Sequence, residues 1–391
     1  MDSSFPPDII PQTPGSVIPT GHLRPIGWQR RPEAPLKERV DFPSPREFYN
    51  EYVTKNIPVV FRQAMKDAPA ITKWESDDYL KKEYGNLLVH VTVKKERAKQ
   101  MDNKKVTFRQ FLKEYQYEDW YLSNIVPQMM TLDLTLPKIM RCGFTKYLLE
   151  SGLWMSSGGT SSLIHSHADH NLHCLLAGRK DFTVIEEKYK EMLQYVNKEP
   201  HHGAGYSNLD VDMINMFKNK DIKKVPWTWA TLRAGDCVFI PARYIHQVRS
   251  WGRSISSTIL FSPTPTLSFS DCNRVELSDE VLLSDATFMW TYINGDRQLS
   301  NSKLNAASLR HHLIVLMRER GQLKKSIFDD FFKEVMKQSK RQEISTSEVW
   351  KLLKPGKRKS IPRSEIEALS DEDLTKVADI LNVLDIKKDE L

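Results

Sequence analysis

Gly159-Thr-Ser-Ser-Leu-Ile-His165-Ser-His167-Ala-Asp169-His-Asn171-Leu-His173-Cys-Leu-Leu-Ala-Gly178-Arg-Lys180 is the stretch on which the fold of this chain turns. Taken as a β-strand, it sends residues two apart to the same face. His165, His167, Asp169, Asn171 and His173 then project together. Five polar side chains facing an apolar interior are costly unless something there binds them. A metal supplies the reason, because neutral imidazoles are good ligands for iron, zinc, manganese, copper and nickel, and an H-x-H pair donates two adjacent positions.

A third ligand has to come from a neighbouring strand. Ala234-Gly235-Asp236-Cys-Val-Phe-Ile-Pro241-Ala-Arg-Tyr244-Ile-His246 supplies one. Gly235-Asp236 makes a turn, Cys237 to Ile240 reads as a buried strand, and Pro241 ends the pairing and aims His246 at the mouth. Around these segments, residues 145 to 262 are rich in short strands separated by Gly, Pro or Lys-Asp turns, without β-α-β alternation. That pattern predicts antiparallel jelly-roll or barrel architecture.

The two segments resemble the paired cupin signatures, and more closely the JmjC/cupin-like 2-oxoglutarate oxygenases of the protein-hydroxylase type. Pro58-Val59-Val60-Phe61, Trp74 to Tyr84 followed by Gly85, Asn171 with Gly178-Arg-Lys180, and Ile240-Pro241 with Tyr244 and His246 also match. The resemblance covers residues 42 to 262. It implies a mainly β core, a double-stranded β-helix or jelly-roll barrel, with N-terminal α+β elements and a C-terminal α-helical region. It also implies Fe(II), with 2-oxoglutarate as cosubstrate and O2, on an H-x-D/E…H ligand set. His165 and His246 fall on the two histidine positions. Lys180 falls where a basic residue pairs with the far carboxylate of 2-oxoglutarate, and Ser162, Tyr121 and Asn171 fall where that cosubstrate is held.

One position departs from the pattern. Two residues after His165, where the family carries an acid, stands His167. A tri-histidine site leaves one negative charge fewer on the metal, which should slow or abolish ordinary 2-oxoglutarate hydroxylation. A two-residue slip would make His167-Ala168-Asp169 the H-x-D. The unslipped register is preferred because it keeps the spacing to Asn171, Gly178 and Lys180. Three readings remain: an Fe(II)/2-oxoglutarate oxygenase acting on a protein side chain or similar substrate, a degenerate barrel serving as a binding or scaffold module, and a tri-histidine enzyme that does without 2-oxoglutarate. His170, His173, His201 and His202 read as surface or strand-packing histidines, and Trp227 and Trp229 as core. Tyr121 could equally be a packing residue.

The rest of the chain bounds these readings. With 391 residues, 40% of them apolar, there is room for a large domain and a smaller partner. Residues 1 to 35, rich in Pro, Ser and Gly, read as a flexible leader, 36 to 265 as the barrel domain and 266 to 391 as a helical region. A net charge of +7 is spread along the sequence and does not indicate nucleic acid. In the barrel domain, Ser44, Pro45 and Glu47 are placed as a helix start. In the helical region, Leu309, Leu313, Leu316 and Met317 share a face, as do Ile327, Phe328, Phe331 and Phe332, and Ser370 opens a last helix through Leu374, Val377, Ala378 and Leu381. Lys337 to Glu348 has the outline of an EF-hand loop but lacks its ligands, so no calcium is expected there. A homodimer through the helical region is left open.

Cys142, Cys174, Cys237 and Cys272 show no paired framework, and Cys174 and Cys237 sit in apolar runs where reduced cysteine behaves as a small core residue. That pattern fits a reducing compartment and favours a cytoplasmic or nuclear protein. No apolar run is long enough to span a membrane, and the start has no signal-peptide pattern. Lys388-Asp389-Glu390-Leu391 at the end keeps the ER lumen open as the alternative.

Overall fold

The computed structural model describes residues 4–12, 14–94, 104–197, 204–263, 267–270, 272, 280–293, 296–299, 306–317, 321–337 and 345–382. The chain enters the barrel through β1 (Lys37–Val40), α1 (Pro45–Phe48) and β2 (Val59–Arg62). Ser44 caps α1 by accepting a hydrogen bond from Glu47 N at 3.2 Å, with Pro45 at the first helical position. Next come α2 (Pro69–Lys73), α3 (Asp77–Tyr84), β3 (Leu88–Val93), β4 (Lys104–Thr107), α4 (Phe108–Glu114) and β5 (Trp120–Ile125). The barrel strands proper are β6 (Leu148–Ser156), β7 (Thr160–Ser161), β8 (His165–Ser166), β9 (His170–Ile185), β10 (Tyr195–Asn197), β11 (Gly205–Ser207), β12 (Thr228–Arg233), β13 (Cys237–Ile240) and β14 (Ile245–Phe261). All fourteen join one sheet, with the central order β1-β2-β13-β9-β14-β6-β5-β3-β4. This is the mainly β jelly-roll core that the sequence predicts, with helices at both ends.

Two long strands make the barrel. β9 and β14 pair antiparallel from Ile245↔Ile185 to Phe261↔His170. The first half of β9 pairs on its other edge with β13, and the second half with β12. Between the halves the pair bends, with a register shift between Trp251 and Ile255. Gly178 sits at that bend with φ +82, and a Cβ there would lie 2.2 Å from Arg253 O, so only glycine fits. Each long strand therefore takes part in two portions of the sheet, one on either side of the bend.

The outer face of this sheet packs Phe48, Phe61, Phe144, Phe239 and Phe261 against the N-terminal helices. Below them, buried Asp133 accepts hydrogen bonds from Lys73 Nζ at 2.6 Å, Trp74 Nε1 at 3.0 Å, Tyr79 OH at 2.9 Å and Tyr84 OH. Burial works to raise its pKa, but these donors outweigh it and hold the carboxyl below the usual range. Its stabilising contribution is therefore complete above the ordinary carboxylate pKa and is lost as pH falls through the lowered one. Asp133→Ala strands these donors and should lower unfolding stability by about 3 kcal/mol in urea at pH 7. The difference should narrow at acid pH.

Three expectations are corrected here. The stretch before residue 36, expected as a flexible leader, lies against the barrel. Ile26 is buried, Phe5 packs edge-on to Trp229, and Arg24 and Pro35 form bridges to Ile214 and Trp229. Its apolar residues are too sparse to show a period, so sequence pattern missed a segment held by individual contacts. The four cysteines, expected reduced, form two bridges, Cys142–Cys272 and Cys174–Cys237. Cys174 and Cys237 lie directly opposite on β9 and β13, a register that linear spacing does not reveal. Finally, the 165–173 stretch is not one strand. It breaks between β8 and β9 into a bend at residues 167–169.

Beyond the barrel come β15 (Trp290–Ile293), β16 (Asp296–Leu299), α5 (Ala306–Met317), β17 (Gln322–Lys324), α6 (Lys325–Lys337), α7 (Thr346–Leu352), β18 (Ser360–Pro362), α8 (Arg363–Ala368) and α9 (Asp371–Asn382). The helices share a core of their own, centred on Leu309, Leu313, Phe328, Val349, Leu374 and Val377. Of the expected EF-hand outline, Lys337 ends α6 and Ser345 caps α7, while residues 338–344 lie outside the described residues. No helix among the described residues is long and apolar enough to cross a membrane.

Candidate metal centre

β8 and the start of β14 are hydrogen-bonded neighbours, with His246 directly opposite His165. His167 follows on the bend, where its carbonyl accepts from Arg243 N at 2.8 Å. One ring nitrogen from each of His165, His167 and His246 lies within 4.8 Å of the others. The His165 and His246 ring centroids are 4.2 Å apart. His165 Nδ1 is 2.8 Å from Leu163 O and His246 Nδ1 is 3.2 Å from Tyr244 O. Donating the Nδ1 proton to these carbonyls leaves the Nε2 lone pairs free, the arrangement that orients metal-binding imidazoles. Burial, and then the neighbouring rings of His165 and His167, push the His246 pKa well below its usual value, so the ring stays neutral.

Asp169, the acid of the slipped register, stands outside this group. The bend turns it toward α5, where its Oδ1 lies 3.8 Å from His311 Nδ1. The break in the strand removes the simple alternation that would have put residues 165 to 173 on one face.

Behind the triad the interior is polar. Lys180 is 1% exposed, and neither a hydrogen bond nor an ion pair engages its ammonium among the described residues. Its Nζ lies 6.0 Å from the Tyr121 ring centroid, and burial alone pushes its pKa down to about 7. Tyr121 stacks on Trp154 at 6.1 Å. The registers Thr92↔Tyr121, Ser256↔Trp154 and Thr258↔His173 put these side chains on one face of the sheet. Thr92 Oγ1, Asn171 Oδ1, His173 Nε2 and Ser256 Oγ on that face are buried without a hydrogen-bond partner. A buried cation close to four orphaned polar atoms on one face of the sheet marks a place suited to a polar, anionic guest. Thr92, Trp154 and Ser256 were not among the sequence candidates, and no local signal separates them from ordinary strand residues. His173 was set aside as packing, though its alternation with Asn171 pointed inward.

Ser162 is differently engaged. Its hydroxyl accepts from Val248 N at 2.9 Å and donates to Leu163 O at 3.0 Å, fixing the segment that carries Leu163. His170 is held between Phe239 and Phe261 and accepts from Ala242 N at 3.1 Å, as a packing histidine should. Trp227 is buried core, and Trp229 packs partly exposed beside it. His201 and His202 lie outside the described residues.

A jelly-roll with a histidine triad on neighbouring strands and a polar interior face defines a cupin-type protein. Comparison with known proteins narrows this, since the cupin-like domain family matches residues 45–266, more than half the chain. The chain belongs to this family, and curated relatives that it resembles carry JmjC names. It is 26% identical over 245 residues to JmjC domain-containing protein D of Dictyostelium discoideum, covering 55% of this chain and 53% of that one. It is 26% identical to Lysine-specific demethylase JMJ30 of Arabidopsis thaliana, over 55% and 52% of the two chains. With human Bifunctional peptidase and (3S)-lysyl hydroxylase JMJD7 it shares 21% identity over 53% of this chain and 78% of the relative. The match spans about half the length of the first two relatives. Iron and 2-oxoglutarate are the general metal and cosubstrate of the family.

Proposed function

We propose that this chain is an Fe(II)- and 2-oxoglutarate-dependent oxygenase that hydroxylates a protein side chain or a similar substrate. The observation that carries the reading is Lys180, a buried cation without a counter-ion among the described residues, close to four buried polar atoms without hydrogen-bond partners. His165, His167 and His246 would hold the metal through Nε2. Lys180 would take the far carboxylate, with Tyr121 beside it, and Asn171, Thr92 and Ser256 would satisfy their open hydrogen bonds on the same molecule. Iron, 2-oxoglutarate and O2 together supply the oxidising power for hydroxylation. The protein's part is to hold the cosubstrate in one pose and keep water out of an interior closed by Trp154 and Tyr121.

The test is an anaerobic titration of purified protein with Fe(II) and 2-oxoglutarate, followed by admission of O2 and measurement of succinate. Metal uptake with succinate release supports the reading, and metal-bound protein indifferent to 2-oxoglutarate overturns it. His167 favours a second reading, a tri-histidine cupin without 2-oxoglutarate turnover or a barrel kept for binding, because it removes the carboxylate from the ligand set. His167→Asp should therefore raise uncoupled succinate production about tenfold and tighten Fe(II). Unchanged metal content and turnover would place His167 outside the ligand set.

The two bridges bear on compartment. Disulfides persist where thiols are oxidised, so we infer that the chain matures in an oxidising compartment rather than in the cytoplasm or nucleus. Alkylation in intact cells before lysis checks this, since four reactive thiols in the native chain would sink it.

A further inference from the structure

The helical unit after the barrel repeats one plan twice. α5, β17 and α6 form a helix-strand-helix, and α7, β18 and α8 form another. The two strands pair antiparallel, with Leu323 opposite Ile361. The helices pack crosswise, α5 on α8 and α6 on α7. Counting twelve residues with Leu323 and Ile361 at position eight gives the loops Leu316–Ile327 and Lys354–Glu365. In each, the second helix begins at position ten, at Lys325 and at Arg363. Position six of the first loop is Gly321, at φ +64, where an EF-hand loop makes its sharp turn. Two helix-loop-helix units joined through the central apolar residue of each loop are the plan of an EF-hand pair. The match lies one helix to either side of the Lys337–Glu348 outline that the sequence suggested.

The ligand positions have been replaced. Positions one, three, five and twelve are Leu316, Arg318, Arg320 and Ile327 in the first loop, and Lys354, Gly356, Arg358 and Glu365 in the second. The loops together carry nine Lys or Arg against two Glu, which repels a divalent cation. Only Glu365 keeps a ligand's chemistry, and Arg358 grips it with Nη1 at 2.8 Å from Oε1 and Nη2 at 2.5 Å from Oε2. A guanidinium fork thus meets the closing carboxylate where an ion would.

Calcium-sensing pairs open a hydrophobic groove when loaded and take an amphipathic helix into it. Here α9 packs on α5, α6 and α7 with Leu374, Val377, Ala378 and Leu381 buried in the shared core. Its start is clipped by charge. Arg310 of α5 donates to Leu369 O at 2.8 Å and to Asp371 at 2.9 Å, and Lys354, the first loop position, pairs with Asp373. Leu369 is extended and Ser370 caps α9 anew by accepting from Asp373 N at 3.1 Å, so α9 is a separate helix rather than a continuation of α8.

We propose that α5, β17 and α6 with α7, β18 and α8 form a calcium-independent EF-hand-type pair, in which Arg358 stands in for the cation and α9 occupies the target-helix groove as a built-in ligand. The unit needs no calcium to hold a helix, and its helix site is already filled. The inference stands apart from the barrel chemistry.

Calcium titration of the full chain by calorimetry should show no saturable heat up to millimolar concentration, and its melting temperature should match in Ca2+ and EGTA. Saturable binding below 1 mM overturns the proposal. In the full chain carrying Leu374→Asp and Val377→Asp, the vacated groove should bind a labelled peptide of residues 369–382 at least tenfold tighter than the unmodified chain does, equally in Ca2+ and EGTA. Binding that needs calcium, or no gain over the unmodified chain, overturns it. To cover a variant that fails to fold, a protease site inserted between Leu369 and Ser370 gives a second measurement. After cleavage the α9 fragment should co-elute with the folded remainder and exchange for the labelled peptide. A fragment that leaves a monodisperse remainder is the contrary result.

Discussion

Lys180→Met should weaken 2-oxoglutarate binding by about 100-fold or more and, in the same protein, raise the stability of the cosubstrate-free state. The first effect follows from losing one partner of a buried charge pair, on the order of 2–5 kcal/mol. The second follows from burial. With no anion bound, Lys180 is fully enclosed and its pKa falls from 10.5 to about 7. The unfolded chain therefore holds more protons than the folded one across that interval, and stability rises with pH between about 7 and 10.5. Below pH 7 the full penalty applies, on the order of 3 kcal/mol after allowance for relaxation. Methionine, similar in length and uncharged, removes it. Differential scanning fluorimetry at pH 6 should show the variant melting higher than the parent, with the gap shrinking toward pH 10. Affinity for 2-oxoglutarate in the parent should fall as pH rises through about 7, because the cation that receives it is being lost. A variant that melts lower at pH 6 and binds 2-oxoglutarate like the parent would remove Lys180 from the site.

Loss of the Cys174–Cys237 bridge should have the next largest effect. It closes a loop of 63 residues, for which chain-entropy reasoning gives about 4 kcal/mol. Both cysteines are buried between β9 and the N-terminal layer, so the paired serines of a Cys174→Ser/Cys237→Ser variant also place two hydroxyls in an apolar core. The expected result is a fall in melting temperature of roughly 10 °C. Reductant alone should leave the folded protein's mass after alkylation unchanged, and all four thiols should react once denaturant is added. Alkylation of native, unreduced protein would show that the bridges do not form.

The expectations that succeeded rest on short-range chemistry. The Ser44-Pro45 helix start and the Ser370 cap are fixed within four residues by side chains that satisfy free backbone N–H groups. The Pro241 stop and the positions of β2, β3 and β13 follow from alternation and turn residues. The same locality misled at His165 to His173, where a strand period was carried through a bend that swings Asp169 toward His311.

By itself, the sequence determined the jelly-roll class and the two segments that bring His165, His167 and His246 together, because both are written in local spacing, while Lys180 was singled out by the family resemblance. Only the tertiary structure decided the partners of the four cysteines, the packing of the leader, and the shared face of Thr92, Trp154, His173 and Ser256. It also decided the crosswise pairing of the helical unit. All of these depend on which strands and helices become neighbours across tens to hundreds of residues, and that is set by the closure of β9 on β14 and by the burial it makes possible.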